Sequence, residues 1–223
     1  MVTWTENIIY IIMLFVFIIL TLVVLRKSKS YINIAFASSP VLISINIFLS
    51  LITRNYYSEV GLESAILHLF SQGALLLAPL GFVFSGLFIL YGKPIYKDFR
   101  VITSLMLFLF FSSILLLINF SNEETSGLDY GIIALVFLFI CVPLIFGFII
   151  FFKISFILPT QKNNIIFICL GFLIGVVSLV IRAYSFFTTE TDNLIGATLL
   201  VIGCLIAIFA FITTTTENKT INS

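Results

Sequence analysis

Charge is what this chain has least of. Asp, Glu, Lys and Arg make up 9% of its 223 residues, against 61% hydrophobic. A water-soluble domain of this length cannot bury so much apolar surface, so the chain reads as a polytopic membrane protein. Histidine occurs once, as His68, and no acid lies inside the apolar core of any hydrophobic run. The pair of absences excludes His-Glu-x-x-His and the usual zinc arrangements, and argues against a carboxylate proton relay or a sodium-coupled site. No metal and no cofactor are therefore expected. A net charge of +1 with no basic cluster gives no reason to expect nucleic acid. The three cysteines, Cys141, Cys169 and Cys204, all fall inside apolar runs, which suits small packing residues rather than a disulfide framework. No Gly-x-Ser-x-Gly elbow and no P-loop occur, and no soluble segment is long enough for kinase or cyclase chemistry. The chain is accordingly read as non-enzymatic.

What is present is a series of seven hydrophobic runs: 8–25, 31–53, 65–91, 101–120, 130–152, 164–187 and 193–213. About 20 residues at 1.5 Å rise cross a bilayer, so each run is long enough for a helix that spans. The first is too long for a signal-peptide core and is followed, not preceded, by bases, so it should remain as a span. The expected fold is all-α, a single seven-helix transmembrane domain in the cell membrane. A short polar tail, 214–223, follows it and is expected to fray.

Direction comes from the distribution of bases. Arg26, Lys27, Lys29, Lys93, Lys97, Arg100, Lys153, Lys162 and Lys219 fall on one side, leaving only Arg54 and Arg182 on the other. Eight of the ten acids take the side that the bases avoid. This predicts an N-terminus outside and a C-terminus in the cytoplasm.

The run 65–91 organises the rest. Ala74, Ala78, Gly81 and Ser85 recur at i, i+4, i+7 and i+11, one face of small residues, and His68 and Gln72 mark another. Lipid gives no reason for either stripe, so this helix is expected to be buried in the bundle. Pro40, Pro79 and Pro143 lie inside three of the runs and are expected to kink them, shaping the packing or lining a cavity.

A faint internal repeat accompanies this pattern. The segment Ser50-Leu51-Ile52-Thr53-Arg54-Asn55-Tyr56 reads like Ser178-Leu179-Val180-Ile181-Arg182-Ala183-Tyr184. The small residues of the third run, Ala74, Gly81 and Ser85, shift onto Gly196, Gly203 and Ala207 of the seventh. Two parallel three-helix units joined by the fourth run would give this arrangement. The layout resembles, in topology alone, the seven-helix rhodopsin-like proteins and the small sugar transporters built as three plus one plus three helices. The residues of those groups are missing: the seventh run has no lysine for a Schiff base, the third has no carboxylate, and no Pro-Gln pair marks the repeats.

Polar side chains gather near one end. Gly171, Gly175, Ser178 and Arg182 share a helical face, as do Ser39, Asn46, Ser50 and Arg54. Arg182, Arg54, His68, Gln72 and Asn46 are the candidate ligand-binding residues, lining an outward-facing vestibule. The set is rich in donors and poor in acids, which suits an anionic or carbonyl-bearing small ligand. Each has a plainer reading: both arginines can snorkel to lipid phosphate, Arg182 can pair with Glu63, Glu190 or Asp192, and Asn46, Gln72 and His68 can make interhelical hydrogen bonds. The expected function is a sensor, receptor-like unit or scaffold working with a membrane or cytoplasmic partner protein. A small-solute transporter or facilitator is the alternative. A His68–Ser71 catalytic pair ranks last, for want of a third group to orient it.

Overall fold

The computed structural model describes residues 4–27, 30–56, 62–124, 130–185 and 190–221. Seven α-helices and two short 3-10 turns make up these residues, with no strand among them. The helices are α1 (Trp4–Lys27), α2 (Tyr31–Tyr56), α3 (Leu62–Tyr91), α4 (Phe99–Glu124), α5 (Tyr130–Ile157), α6 (Lys162–Ser185) and α7 (Glu190–Ile221). Each holds one of the seven hydrophobic runs. Six are long and apolar enough to cross a membrane, and the described apolar part of α7, Thr198–Thr213, is shorter. The chain is thus a helical multi-pass membrane protein. The helix of α7 does not stop with its apolar run but continues to Ile221, through most of the tail expected to fray.

Helix ends follow local chemistry. Gly92 takes a φ of 73° just after α3, a left-handed conformation that glycine adopts without steric cost. Its N–H donates to the Phe88 carbonyl at 3.0 Å. Asp98 then caps α4, its carboxylate accepting the Arg100 backbone N–H at 2.8 Å. Pro40, Pro79 and Pro143 each lie inside a helix that runs on past them, in α2, α3 and α5 respectively.

The helices close into a ring in the order α1, α2, α3, α5, α6, α7, with α4 outside it against α3 and α5. Burial makes the distinction plain. Half of the apolar window of α3 and of α5 is buried, against 6% of that of α4. Ser112 and Asn119 are the buried positions among the described side chains of α4. Large apolar side chains such as Phe15, Leu22, Phe110 and Phe146 are exposed on the outer surfaces, where acyl chains solvate them.

Lipid tails are as apolar as leucine, so close backbone approach and dispersion, rather than water exclusion, must hold the ring. Two crossings supply that approach. At α2–α3, a methyl on Gly81 would lie 2.5 Å from the Ala35 carbonyl oxygen and would also strike the Ser38 and Ser39 hydroxyls. At α6–α7, Gly171 and Gly203 face each other, and a methyl on Gly171 would lie 2.5 Å from the Gly203 carbonyl oxygen. The small-residue stripe of α3, Ala74, Ala78, Gly81 and Ser85, is buried throughout.

A chain of phenylalanines fills the centre toward one end. Phe36 of α2 stacks on Phe211 of α7 with centroids 3.7 Å apart, and meets Phe82 of α3 edge-on at 4.8 Å. Phe82 meets Phe172 of α6 at 5.4 Å, and Phe172 meets Phe151 of α5 at 5.6 Å. All five are at most 3% exposed. Five helices of the ring are therefore tied through one aromatic plug.

Candidate functional site

At the other end the ring opens into a cavity of about 200 Å³. Its wall combines Asn46, Ser50 and Thr53 of α2, His68 and Gln72 of α3 and Arg182 of α6 with Tyr10 and Phe17 of α1 and Phe137 of α5. Four of the five residues singled out from the sequence, Arg182, His68, Gln72 and Asn46, thus share one space. Arg54 belongs to α2, and its side chain lies outside the described residues.

Arg182 reaches the cavity through a gap in α7. Its aliphatic stem crosses Gly196 so closely that a methyl there would collide with the Arg182 Cγ. The guanidinium carbon then sits 4.7 Å from the centroid of the Phe137 ring. A cation over an aromatic face is held by the ring quadrupole, and more firmly where water is scarce. The neighbouring turn is fixed by Ser178, whose hydroxyl donates to the Gly196 carbonyl at 2.7 Å. Tertiary packing, not a loose helix end, therefore sets where this charge stands. Glu190 and Asp192, considered above as partners, have side chains outside the described residues.

On the opposite wall His68 and Gln72 are one helical turn apart and bonded, Nε2 to Nε2, at 2.9 Å. Turned one way the amide NH2 donates to an accepting imidazole Nε2, and turned the other the amide oxygen accepts from an Nε2–H. Gln72 is 6% exposed, and its Oε1 has no partner among the described residues. Whichever way the amide is turned, one polar atom meets His68 and the other is left over. A buried amide atom without a partner costs roughly 1–3 kcal/mol, so this position favours any small group that can complete it.

Asn46 is engaged differently. Its amide nitrogen donates to the Ser71 carbonyl at 2.9 Å and to the Ser71 hydroxyl at 2.8 Å. Ser71 returns a bond to the Asn46 carbonyl at 3.2 Å and lies 3.0 Å from the Ser50 hydroxyl. The cluster clamps α2 to α3, and Asn46 contributes to the wall as a side of that clamp. The Ser71 hydroxyl, 2% exposed, is held by α2, which leaves it poorly placed to act as a nucleophile for His68.

Phe137, Tyr10 and Thr53 also belong to the wall and lie outside the set of candidate residues. Tyr10 is the lone tyrosine of the first run, and that isolation was a usable signal. Phe137 is one of 26 phenylalanines, and nothing in its neighbourhood distinguished it. Among the described residues no group of three or more His, Cys, Asp or Glu is placed to hold a metal ion. No known protein family, curated protein or solved structure matches this chain.

Proposed function

We propose that the chain is a sensor- or receptor-like membrane unit that crosses the bilayer seven times. Its N-terminus and vestibule face outward, and its basic end faces the cytoplasm. The vestibule takes a small anionic or carbonyl-bearing ligand. Arg182 offers a positive charge, and the Gln72 amide, turned so that its oxygen accepts a His68 N–H, offers its NH2 as the second donor. About 200 Å³ is small beside the roughly 300–1,000 Å³ of drug-sized sites, which suits a ligand of few heavy atoms. Inner connections as short as the turn from Gly92 to Asp98 carry no output domain, so the signal passes to a partner protein.

The observation that carries this reading against transport is the phenylalanine plug. By helix rise, Phe36 and Phe82 lie about 10 Å beyond the cavity residues Ile43 and Leu75 on the same helices. A polar solute leaving the vestibule inward would have to cross those packed rings. Transport is the second reading, and one feature favours it. The ring divides into α1–α3 and α5–α7, each closed by a tight crossing of its last two helices, as a parallel duplication with α4 as linker would give.

The test uses full-length protein in nanodiscs. Short mono- and dicarboxylates and inorganic phosphate are screened for a rise in the unfolding midpoint. At least one should stabilise the wild type, and Arg182→Gln should abolish that rise. If no anion stabilises the protein, the vestibule reading fails. Proteoliposomes should then show no uptake of the stabilising anion, and uptake above empty vesicles would put the transport reading in its place. Tags on the two termini should be accessible from opposite sides of the membrane, and same-side tags would overturn the seven-crossing topology.

A further inference from the structure

A second cavity, of about 290 Å³, lies between α3, α4 and α5 and is not used by the vestibule. Leu80, Phe84 and Leu87 of α3, Leu105 and Phe108 of α4, and Phe146 of α5 are among its walls, so its interior is apolar. Arg100 lines it too, from the first turn of α4. By helix rise the stretch from Arg100 to Phe108 is about 12 Å, so the slot runs roughly that far into the apolar layer from the basic end. It exists because α4 is docked mainly through its far half, at Ser112 and Asn119, and stands away from its neighbours near Arg100.

Three facts identify the occupant. The slot opens on the outer side of the ring, where the surrounding medium is hydrocarbon, and its walls match a hydrocarbon chain. Its one charged wall residue is an arginine at the end where headgroups lie. That guanidinium is exposed and has no hydrogen bond or ion pair among the described residues, while the nearby Asp98 carboxylate accepts the Arg100 backbone N–H through one of its oxygens. The same end of the bundle carries further exposed bases, Lys97 just before α4 and Lys153 near the end of α5, the latter 3.5 Å from the Tyr91 hydroxyl. A guanidinium binds phosphate in paired hydrogen bonds, and a basic rim favours a lipid of net negative charge over a zwitterionic one.

We infer that the α3–α4–α5 slot is a binding site for an anionic phospholipid of the surrounding bilayer, with an acyl chain in the slot and the phosphate on Arg100. The occupant fills the space that α4 leaves open and so couples the position of α4 to the lipid composition of that leaflet. The site does not depend on the vestibule or its ligand.

The experiment uses bromine-quenched tryptophan fluorescence on the full chain in reconstituted bilayers. Trp4 is the only tryptophan. It is replaced by phenylalanine, and a reporter is placed in the slot by Phe84→Trp. A second reporter, Leu22→Trp, sits on the exposed face of α1 toward the same end, beside Arg26 but outside the slot. Brominated phosphatidylglycerol and brominated phosphatidylcholine are compared at equal mole fraction. The slot reporter should show an association about fivefold stronger for phosphatidylglycerol, the order expected for one arginine at an anionic headgroup. The α1 reporter should show a ratio near one. Arg100→Gln should bring the slot ratio to one, and Arg100→Lys should keep part of it. Equal preference at both reporters would mean general enrichment by the basic rim and would overturn the proposal. So would a slot preference that survives Arg100→Gln.

Discussion

The placement of Arg182 depends on Gly196 having no side chain, and that dependence can be measured. A methyl at position 196 collides with the Arg182 Cγ and lies 3.1 Å from the Ser178 carbonyl oxygen and 3.3 Å from the Arg182 backbone nitrogen. In Gly196→Ala the arginine stem must leave its path, taking the guanidinium off the Phe137 ring. Overpacking of this kind costs about 1–3 kcal/mol, and a partly desolvated cation–π contact adds about 1 kcal/mol. Alanine returns up to about 1 kcal/mol of helix propensity. The net expectation is a loss of about 2 kcal/mol. In an Arg182→Ala background the Cγ is gone, the two remaining contacts are tight but tolerable, and the same change should cost less than about 0.5 kcal/mol. Unfolding by SDS titration in phospholipid–detergent micelles, followed by helical circular dichroism, gives all four corners of the cycle. A coupling of at least about 1.5 kcal/mol is expected. If Gly196→Ala costs the same with and without the arginine side chain, Arg182 does not cross α7 at Gly196 and the vestibule is built differently.

Two further stability tests address the rest of the bundle. Gly171→Ala drives a methyl into the Gly203 carbonyl and, at 2.8 Å, into the Ala207 Cβ, none of which is a flexible side-chain end. It should cost about 2–3 kcal/mol in the same titration. At Gly73 the nearest atom to an added methyl is a leucine carbon 3.8 Å away, so Gly73→Ala should be neutral or stabilising by up to about 1 kcal/mol. Reversed signs for the two would refute the α6–α7 backbone contact. Asn46→Ala removes both amide bonds to Ser71 and should cost about 1–2 kcal/mol. Ser71→Ala in that background should add little, because the partners act as a unit. Full additivity of the two would mean that the clamp is not formed.

The sequence by itself determined the elements. Scarce charge and seven apolar runs dictate helices, because only a helix pairs every backbone polar group within one segment in hydrocarbon. The period of Ala74, Ala78, Gly81 and Ser85 marked the buried face of α3, since lipid would not select small residues there. The shared face of Gly171, Gly175, Ser178 and Arg182 was legible for the same reason. Tertiary structure alone decided which neighbours those faces meet. The fourth run holds no glycine, alanine or proline and so offers no small-residue face for close packing, but only the packing itself shows that α4 lies outside the ring against α3 and α5. Nor does spacing reveal that Asn46 is tied to Ser71 while Gln72 keeps an unmatched amide atom. Each choice rests on which atoms come within 3 Å across two helices, a distance fixed by how closely glycines let backbones approach.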